Sequence, residues 1–104
     1  MPEPDEIIHQ QTRLRIMATL NALSEGRQVE FTRLKAIVGA TDGNLGAHLV
    51  TLENAGYITI TKDFFGKKPR TRVALTRGGR KAFNRHVSFL RAVLDGESAE
   101  GNKP

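Results

Sequence analysis

Residues 31–58, FTRLKAIVGATDGNLGAHLVTLENAGYI, contain two short segments of helical periodicity with only a few residues between them. Six apolar residues recur at the spacing of a helical face: Leu34, Ile37, Val38, Leu45, Leu49 and Leu52. Thr32 is placed to cap the first segment and Gly39 to end it. Thr41 or Asp42 is placed to cap the second. The stretch therefore predicts two helices joined by a tight turn.

Two alternating segments follow this helix pair, YITITK at residues 57–62 and RTRVALT at residues 70–76. Alternation of apolar and polar residues predicts strands, and the seven intervening residues, DFFGKKP, predict the loop of a hairpin. Phe64 and Phe65, or one of the two, are expected to clamp the base of this hairpin against the body. Gly66 permits the turn, and Pro69 stiffens the returning strand.

The flanking segments complete one small domain. Residues 5–23 predict a first helix, residues 28–31 (QVEF) a short strand, and residues 77–95 a last helix capped by Thr76. The order is α-β-α-α-β-β-α, which is mainly α with a small β-sheet and is typical of a winged helix-turn-helix. We expect a folded unit at residues 6–95, with disorder at residues 1–5 and 96–104.

Composition restricts the class of protein. The 104 residues include 16 lysines and arginines against 11 acids, and no cysteine, which excludes disulfides and thiolate metal sites. Ten of the basic residues lie between Lys62 and Arg91, where the one acid is Asp63. This concentration of positive charge favours a polyanionic partner. No apolar run would span a bilayer and the start lacks an apolar signal region, so we expect no membrane partner and a cytoplasmic protein.

Motifs of catalysis and metal binding are missing from the sequence. It contains no G-x-S-x-G, P-loop, H-E-x-x-H or paired-carboxylate arrangement. His9, His48 and His86 show no local ligand spacing, and surface or interface roles are expected for them. We therefore expect no enzyme, no metal and no cofactor. The two glycines of RGGRK at residues 77–81 are expected to allow close packing beside the hairpin.

Taken in order, these motifs resemble the small winged-helix transcriptional regulators related to MarR-like and ArsR-like repressors. The resemblance covers roughly residues 7–94 and is carried by TRLRIMATL, by residues 31–58 and by KKPRTRVALTRGGRKAF. It implies a dimer that binds duplex DNA, with the third helix in the major groove and the hairpin, or wing, along the backbone or minor groove. Relatives often have serines where this chain has Gly46 and Ala47, so side-chain hydrogen bonds to bases are not expected from those two positions.

The exposed half of the third predicted helix is nearly uncharged. With Leu45 at the centre of the buried face, that half contains Gly43, Asn44, Ala47, Val50, Thr51 and Asn54. Asn44 suits an adenine edge, Ala47 a thymine methyl group and Thr51 a phosphate, while His48 lies on the flank. The alternative is a set of ordinary polar surface residues. The candidate contacts on this helix are Thr41, Asn44, Ala47, His48 and Thr51.

The wing supplies a second set of candidate contacts. Lys67 and Lys68 are expected at its tip, with Arg70 and Arg72 on one face of the returning strand. This array suits phosphates, and arginine suits a narrow minor groove. The alternative is an edge strand that charge protects from aggregation.

The last helix has two apolar rows, of which one is enough to dock it on the body. The second predicts a symmetric homodimer built from this helix and the first. The candidate interface residues are Ile8, Phe83, Val87, Phe89, Leu90, Val93 and Leu94. The alternative is that both rows pack inside a thick monomer core.

The sequence thus predicts a dimeric regulator that binds specific double-stranded DNA. A winged-helix protein-interaction module without DNA binding is the main alternative, because a fold does not determine function. RNA binding is disfavoured, because five Phe and one Tyr leave few aromatics for stacking on bases. No polar cluster identifies a small-molecule effector, which would have to occupy the cleft between the helices of the dimer.

Overall fold

The computed structural model describes residues 3–97. Residues 1–2 and 98–104, most of the two ends for which disorder is predicted, lie outside the described residues. The elements, in chain order, are α1 (Gln11–Asn21), β1 (Gln28–Glu30), α2 (Phe31–Val38), α3 (Asp42–Asn54), β2 (Ile58–Phe65), β3 (Lys68–Leu75), α4 (Arg77–Arg91) and a π-helical turn (Ala92–Glu97). This order confirms the predicted winged helix-turn-helix.

The three strands form one antiparallel sheet with β3 in the middle, in the order β1-β3-β2. Val73 of β3 lies opposite Val29 on one side and Ile60 on the other. Side chains alternate between the two faces of a strand, so these three residues share the face that the sheet turns to the core. Only the half of the β2–β3 hairpin that is farther from its turn packs on the core through this face.

The helices cover that face with apolar rows at helical spacing. Those of α1, α2 and α3 supply most of the fully buried side chains: Ile16, Met17, Leu20, Leu34, Val38, Leu45, Leu49 and Leu52. Each of them is at most 4% exposed. The helix pair α2–α3 is therefore held on the sheet by residues that its periodicity identifies.

Three predicted helix ends are confirmed, whereas α1 begins at Gln11 and not at residue 5. The side chains of Thr41 and Thr76 accept hydrogen bonds from the first turns of α3 and α4, and Gly39 ends α2 with a φ of 68°. The prediction for Thr32 is wrong: α2 begins at Phe31, and Glu30 occupies the capping position without a side-chain bond. The short strand β1 therefore runs directly into α2.

The hairpin differs from its predicted form. Strand pairing continues to Phe65 opposite Lys68, so a two-residue turn of Gly66 and Lys67 replaces the predicted seven-residue loop. Gly66 has a φ of 64° at the first turn position, as a type II′ turn requires. Pro69 is tolerated in β3 because β1 pairs only with residues 72–74, which leaves an open edge there.

Contrary to expectation, the phenylalanines of the hairpin do not clamp it to the body. Phe64 is 68% exposed and Phe65 71% exposed. Because the strands are longer than predicted, both rings lie next to the turn and beyond the reach of the core. The wing, which is β2, β3 and their turn, therefore carries its aromatic residues at its tip.

The N-terminal segment is anchored earlier than predicted, by Asp5. Its carboxylate accepts hydrogen bonds from the Ile7 and Ile8 amides and from the Tyr57 hydroxyl, the last at 2.5 Å. Its own amide donates to Nδ1 of His86, which is 1% exposed. Burial lowers the pKa of His86, and burial together with the Asp5 bond raises the pKa of Tyr57 to about 12. Both groups are therefore neutral at pH 7.

One of the two glycines that begin α4 permits close packing beside the wing, as predicted. A Cβ on Gly79 would overlap the backbone oxygen of Tyr57, whereas the nearest atoms to one on Gly78 are 3.8 Å away. Only Gly79 of this pair is therefore needed for α4 to approach the start of the wing.

None of the helices in residues 3–97 combines the length and apolar character needed to cross a membrane.

Substituting the neighbouring Gly78 and Gly79 by alanine is expected to have different effects on stability. Gly79→Ala should lower the free energy of unfolding by more than about 2 kcal/mol, because the backbone of Tyr57 must move. Gly78→Ala, the matched control, should be neutral or stabilise by up to about 1 kcal/mol through helix propensity. Urea unfolding followed by circular dichroism measures both. Equal effects of the two substitutions would contradict the close approach at Gly79.

Candidate nucleic-acid interface

The solvent face of α3 has the composition predicted from its periodicity. Gly43, Asn44, Ala47, Val50 and Asn54 are exposed and Thr51 is half-buried. None of these side chains is charged, so the face is short and neutral. Such a face approaches base edges closely, because no long ionic side chain stands between the helix backbone and a groove.

The N-terminal end of α3 holds two of the candidate residues in different roles. The hydroxyl oxygen of Thr41 accepts a hydrogen bond from the amide of Asn44 at 3.2 Å, so Thr41 orders the first turn. The exposed side chain of Asn44 then projects from a fixed backbone. Asp42, also in this turn, is paired with Lys35 of α2 at 2.8 Å, which lessens its repulsion of a phosphate.

His48 is tied to α1. Its Nδ1 lies 3.1 Å from Nη1 of Arg13, and the Nε of Arg13 donates to the carbonyl of Ile7. Burial and the neighbouring guanidinium lower the pKa of His48, so Nδ1 accepts from Arg13 and Nε2 carries the proton. The imidazole therefore offers a neutral N–H donor on the flank of α3. The sequence did not indicate Arg13, because 35 residues separate it from His48.

Thr51 is less available than predicted. Its hydroxyl donates to the carbonyl of Ala47 at 3.2 Å, one turn earlier in the same helix. Because a phosphate accepts hydrogen bonds but does not donate them, Thr51 would have to release Ala47 before contacting one. Asn44 bonds to Thr41 through its backbone amide, so its side-chain amide stays open to a ligand. It is therefore the better placed of the two for direct contact with DNA.

The tip of the wing carries two exposed positive charges. Lys67 lies in the turn and Lys68 begins β3, and both are exposed. A two-stranded tip with two ammonium groups can follow a phosphate backbone at close range. This placement agrees with the predicted position of the two lysines.

The two arginines of the wing are held by an acid. Asp63 accepts from the Nε of Arg70 at 2.9 Å and from the Nη2 of Arg72 at 2.6 Å. The hydrogen bond from Arg70 is the main cause that lowers the pKa of Asp63. All three side chains lie on one face of the sheet, and the arginines are half-buried. Arg70 and Arg72 therefore brace the wing across its strands, which their sequence positions alone did not indicate.

A cleft of about 350 Å³ joins α3 to the wing. It is lined by seven residues of α2, α3 and the wing: Phe31, Gly46, Leu49, Val50, Ile60, Lys62 and Thr71. The cleft shows that the neutral helix face and the basic hairpin are adjacent. A ligand that contacts one of them is therefore close to the other.

The candidate dimer residues fall into two groups. Ile8 is fully buried and Phe83 is 8% exposed, so both fill the protomer's own core and have little side-chain surface left for a partner, contrary to expectation. Val87 packs against the same core. The outer positions are more exposed to solvent: Phe89, Leu90 and Val93 are half-buried, and Leu94 is 75% exposed.

Within residues 3–97, no three carboxylate or imidazole groups are placed to hold a metal ion.

Comparison with known proteins agrees with this geometry. Residues 12–94 match the family model described as a winged helix DNA-binding domain. An uncharacterised protein of Methanocaldococcus jannaschii is 33% identical over 82 residues, which are 79% of this chain and 86% of that protein.

Solved structures give the same result. A transcriptional regulator homologue from Pyrococcus horikoshii is 33% identical, with a TM-score of 0.79 over 88% of each chain. A structure from Porphyromonas gingivalis described as a MarR-family regulator shares the fold, at 19% identity and a TM-score of 0.56 over 91% of this chain and 98% of that one. The family model thus describes a DNA-binding domain, and the Pyrococcus structure is described as a transcriptional regulator homologue. The chain belongs to the family of winged helix DNA-binding domains.

Proposed function

We propose that this protein is a cytoplasmic, homodimeric transcriptional regulator that binds specific sequences of double-stranded DNA. In this proposal α3 enters the major groove, and the wing lies on the flanking backbone or minor groove. The observation that carries the proposal is the adjacency of an uncharged, exposed helix face and a lysine-bearing hairpin across one cleft. This pair meets the two needs of DNA recognition, which are close approach to bases and neutralisation of phosphates.

The wing tip and the solvent face of α3 have different roles in binding DNA. Lys67 and Lys68 bind phosphates whatever the sequence, and so they supply affinity and salt dependence. Asn44 has an amide that pairs with the N6 and N7 positions of adenine, and so it supplies preference for a sequence. His48, fixed by Arg13, adds a neutral donor that reaches either a phosphate or a base edge.

Dimerisation is proposed through the end of α4 and the π-helical turn. Of the apolar side chains there, Phe89, Leu90 and Val93 are half-buried and Leu94 is exposed. Burying them against the same surface of a second protomer removes apolar area from water and gives a two-fold symmetric pair. Two copies of α3 would then meet two half-sites of a palindromic duplex.

A second candidate function is a winged-helix module that binds a protein partner. The observation that favours it is the exposed apolar surface of the wing tip, Phe64 and Phe65. Direct titration of the purified chain with duplex DNA separates the two functions, because a protein-binding module would lack salt-dependent affinity for DNA.

Salt titration and two substitutions test the DNA interface. With about four to six phosphate contacts per complex, the log–log slope of the binding constant against salt should be about −4 to −5. The double variant Lys67→Ala/Lys68→Ala should weaken binding to all duplexes alike and flatten the slope by about one for each phosphate that is no longer neutralised. Asn44→Ala should change the preferred sequence with little change in slope. A flat titration for the wild type would contradict the proposal.

Releasing the arginines from Asp63 should strengthen non-specific binding. In Asp63→Asn the guanidinium groups of Arg70 and Arg72 lose their charged partner and become free to reach phosphates. The slope should then steepen by about one for each arginine that binds a further phosphate. Asp42→Asn is the matched control, because it removes an acid of equal charge near the start of α3. Equal steepening in the two variants would show that only net charge matters.

Sedimentation equilibrium tests the dimer. At tens of micromolar the wild type should be dimeric, whereas Phe89→Ser/Leu94→Ser should shift it towards monomer, because an interface that buries these side chains then excludes less apolar area from water. Phe64→Ser, on the wing tip, is the control and should leave the mass unchanged. A monomeric wild type at that concentration would contradict the proposed interface.

A further inference from the structure

The wing tip combines aromatic rings and positive charge in a manner that phosphate binding alone does not require. Five large apolar side chains are exposed among the described residues: Ile37, Val50, Phe64, Phe65 and Leu94. Two of the five are consecutive residues beside the turn, next to Lys67 and Lys68. An apolar ring held beside ammonium groups fits a ligand that presents an apolar surface between phosphates.

The two rings have different surroundings. Phe65 lies against the guanidinium of Arg70, whose Cζ is 5.3 Å from the ring centroid, and Arg70 is itself held by Asp63. Phe65 therefore completes the brace on one face of the sheet. Phe64 projects from the opposite face, because neighbouring residues of a strand point to opposite sides.

The face of Phe64 is the one that turns towards α3. Ile60, Lys62 and Phe64 are every second residue of β2, so their side chains lie on the same face of the strand. Ile60 and Lys62 line the cleft beside Leu49 and Val50 of α3. A duplex that meets the solvent face of α3 is therefore on the side of the hairpin from which Phe64 projects. The turn then brings Phe64 to the groove next to the one that α3 occupies.

We propose that Phe64 is an apolar wedge that enters the minor groove, partly unstacks one base step and bends the duplex. Lys67, in the turn beside Phe64, holds a phosphate next to the opened step. Inserted apolar side chains of this kind bend DNA by roughly 20–90°. The inference rests on the proposed function. It adds which residue enters the DNA, which groove it enters and how it deforms the duplex. It also predicts a preference for flexible pyrimidine–purine steps at that position.

The experiment measures bending and binding separately. The wild type and its variants are titrated into a duplex of about 30 base pairs, recovered from a random pool by binding and labelled at its ends for energy transfer. A second copy of this duplex carries 2-aminopurine at the candidate step, because its fluorescence rises when a base is unstacked. The wild type should shorten the end-to-end distance and raise the 2-aminopurine signal.

Three variants distinguish a wedge from general support of the wing. Phe64→Ala should lose most of the bend and the 2-aminopurine signal and bind about tenfold more weakly, in line with the removal of one stacked ring. Phe64→Leu should keep much of the bend, because leucine also acts as a wedge. Phe65→Ala is the matched control: it removes the same ring from the other face and should retain the bend. Thermal unfolding should be unchanged in the Phe64 variants, because that side chain is exposed.

Each contrary result has a definite meaning. If the wild type binds the duplex with the expected salt dependence but Phe64→Ala bends it equally, the wedge is disproved and the proposed function stands. If Phe64→Ala and Phe65→Ala lose the bend equally, the effect belongs to the fold of the wing and the wedge is also disproved. Tighter binding to the single strand than to the duplex would disprove the wedge and assign the ring to base stacking on single-stranded nucleic acid. A wild type that binds no duplex would overturn both proposals.

Discussion

Val73 is paired with Val29 on one side and with Ile60 on the other, and this arrangement determines where the hairpin leaves the body. Inside that point the sheet has a core face covered by helices. On the turn side of Arg72, where the pairing of β3 with β1 ends, the β2–β3 ribbon continues with its edge open. A two-stranded ribbon without support is marginally stable in water. Asp63 supplies the support, because it joins Arg70 and Arg72 across the outer half of the ribbon.

This support divides the four positive charges between Phe64 and Arg72 into two classes, although they lie close together in the sequence. The guanidinium groups of Arg70 and Arg72 are engaged in holding the strands together. The ammonium groups of Lys67 and Lys68 remain exposed at the tip. A ligand thus meets a small basic tip with an aromatic ring beside it and not a uniformly basic arm.

Features that depend on neighbouring residues could be predicted from the sequence. The caps at Thr41 and Thr76 follow from short-range hydrogen bonding, and the neutral face of α3 follows from the leucine row opposite it. The length of the hairpin could not be predicted in this way. Its register is determined by pairs such as Ile58 with Leu75, which depend on the core, so local patterns predict a loop where the strands continue.

Features that depend on distant residues could not be predicted for the same reason. The contact of Arg13 with His48 joins α1 to α3, and no local pattern indicates it. The apolar character of Ile8 is visible in the sequence, but its burial depends on Asp5, which turns the N-terminal segment onto α4 through His86. Apolar periodicity shows which residues are buried, but not whether they are buried within a protomer or between two.

The claim that α3 and the wing tip act on one duplex together is tested most directly by backbone amide NMR during titration with duplex DNA selected for binding. Amides around Asn44 and Ala47 and those around Gly66 and Lys67 should shift together, with one shared binding curve. Shifts confined to one of these two regions, or to the end of α4, would contradict joint binding.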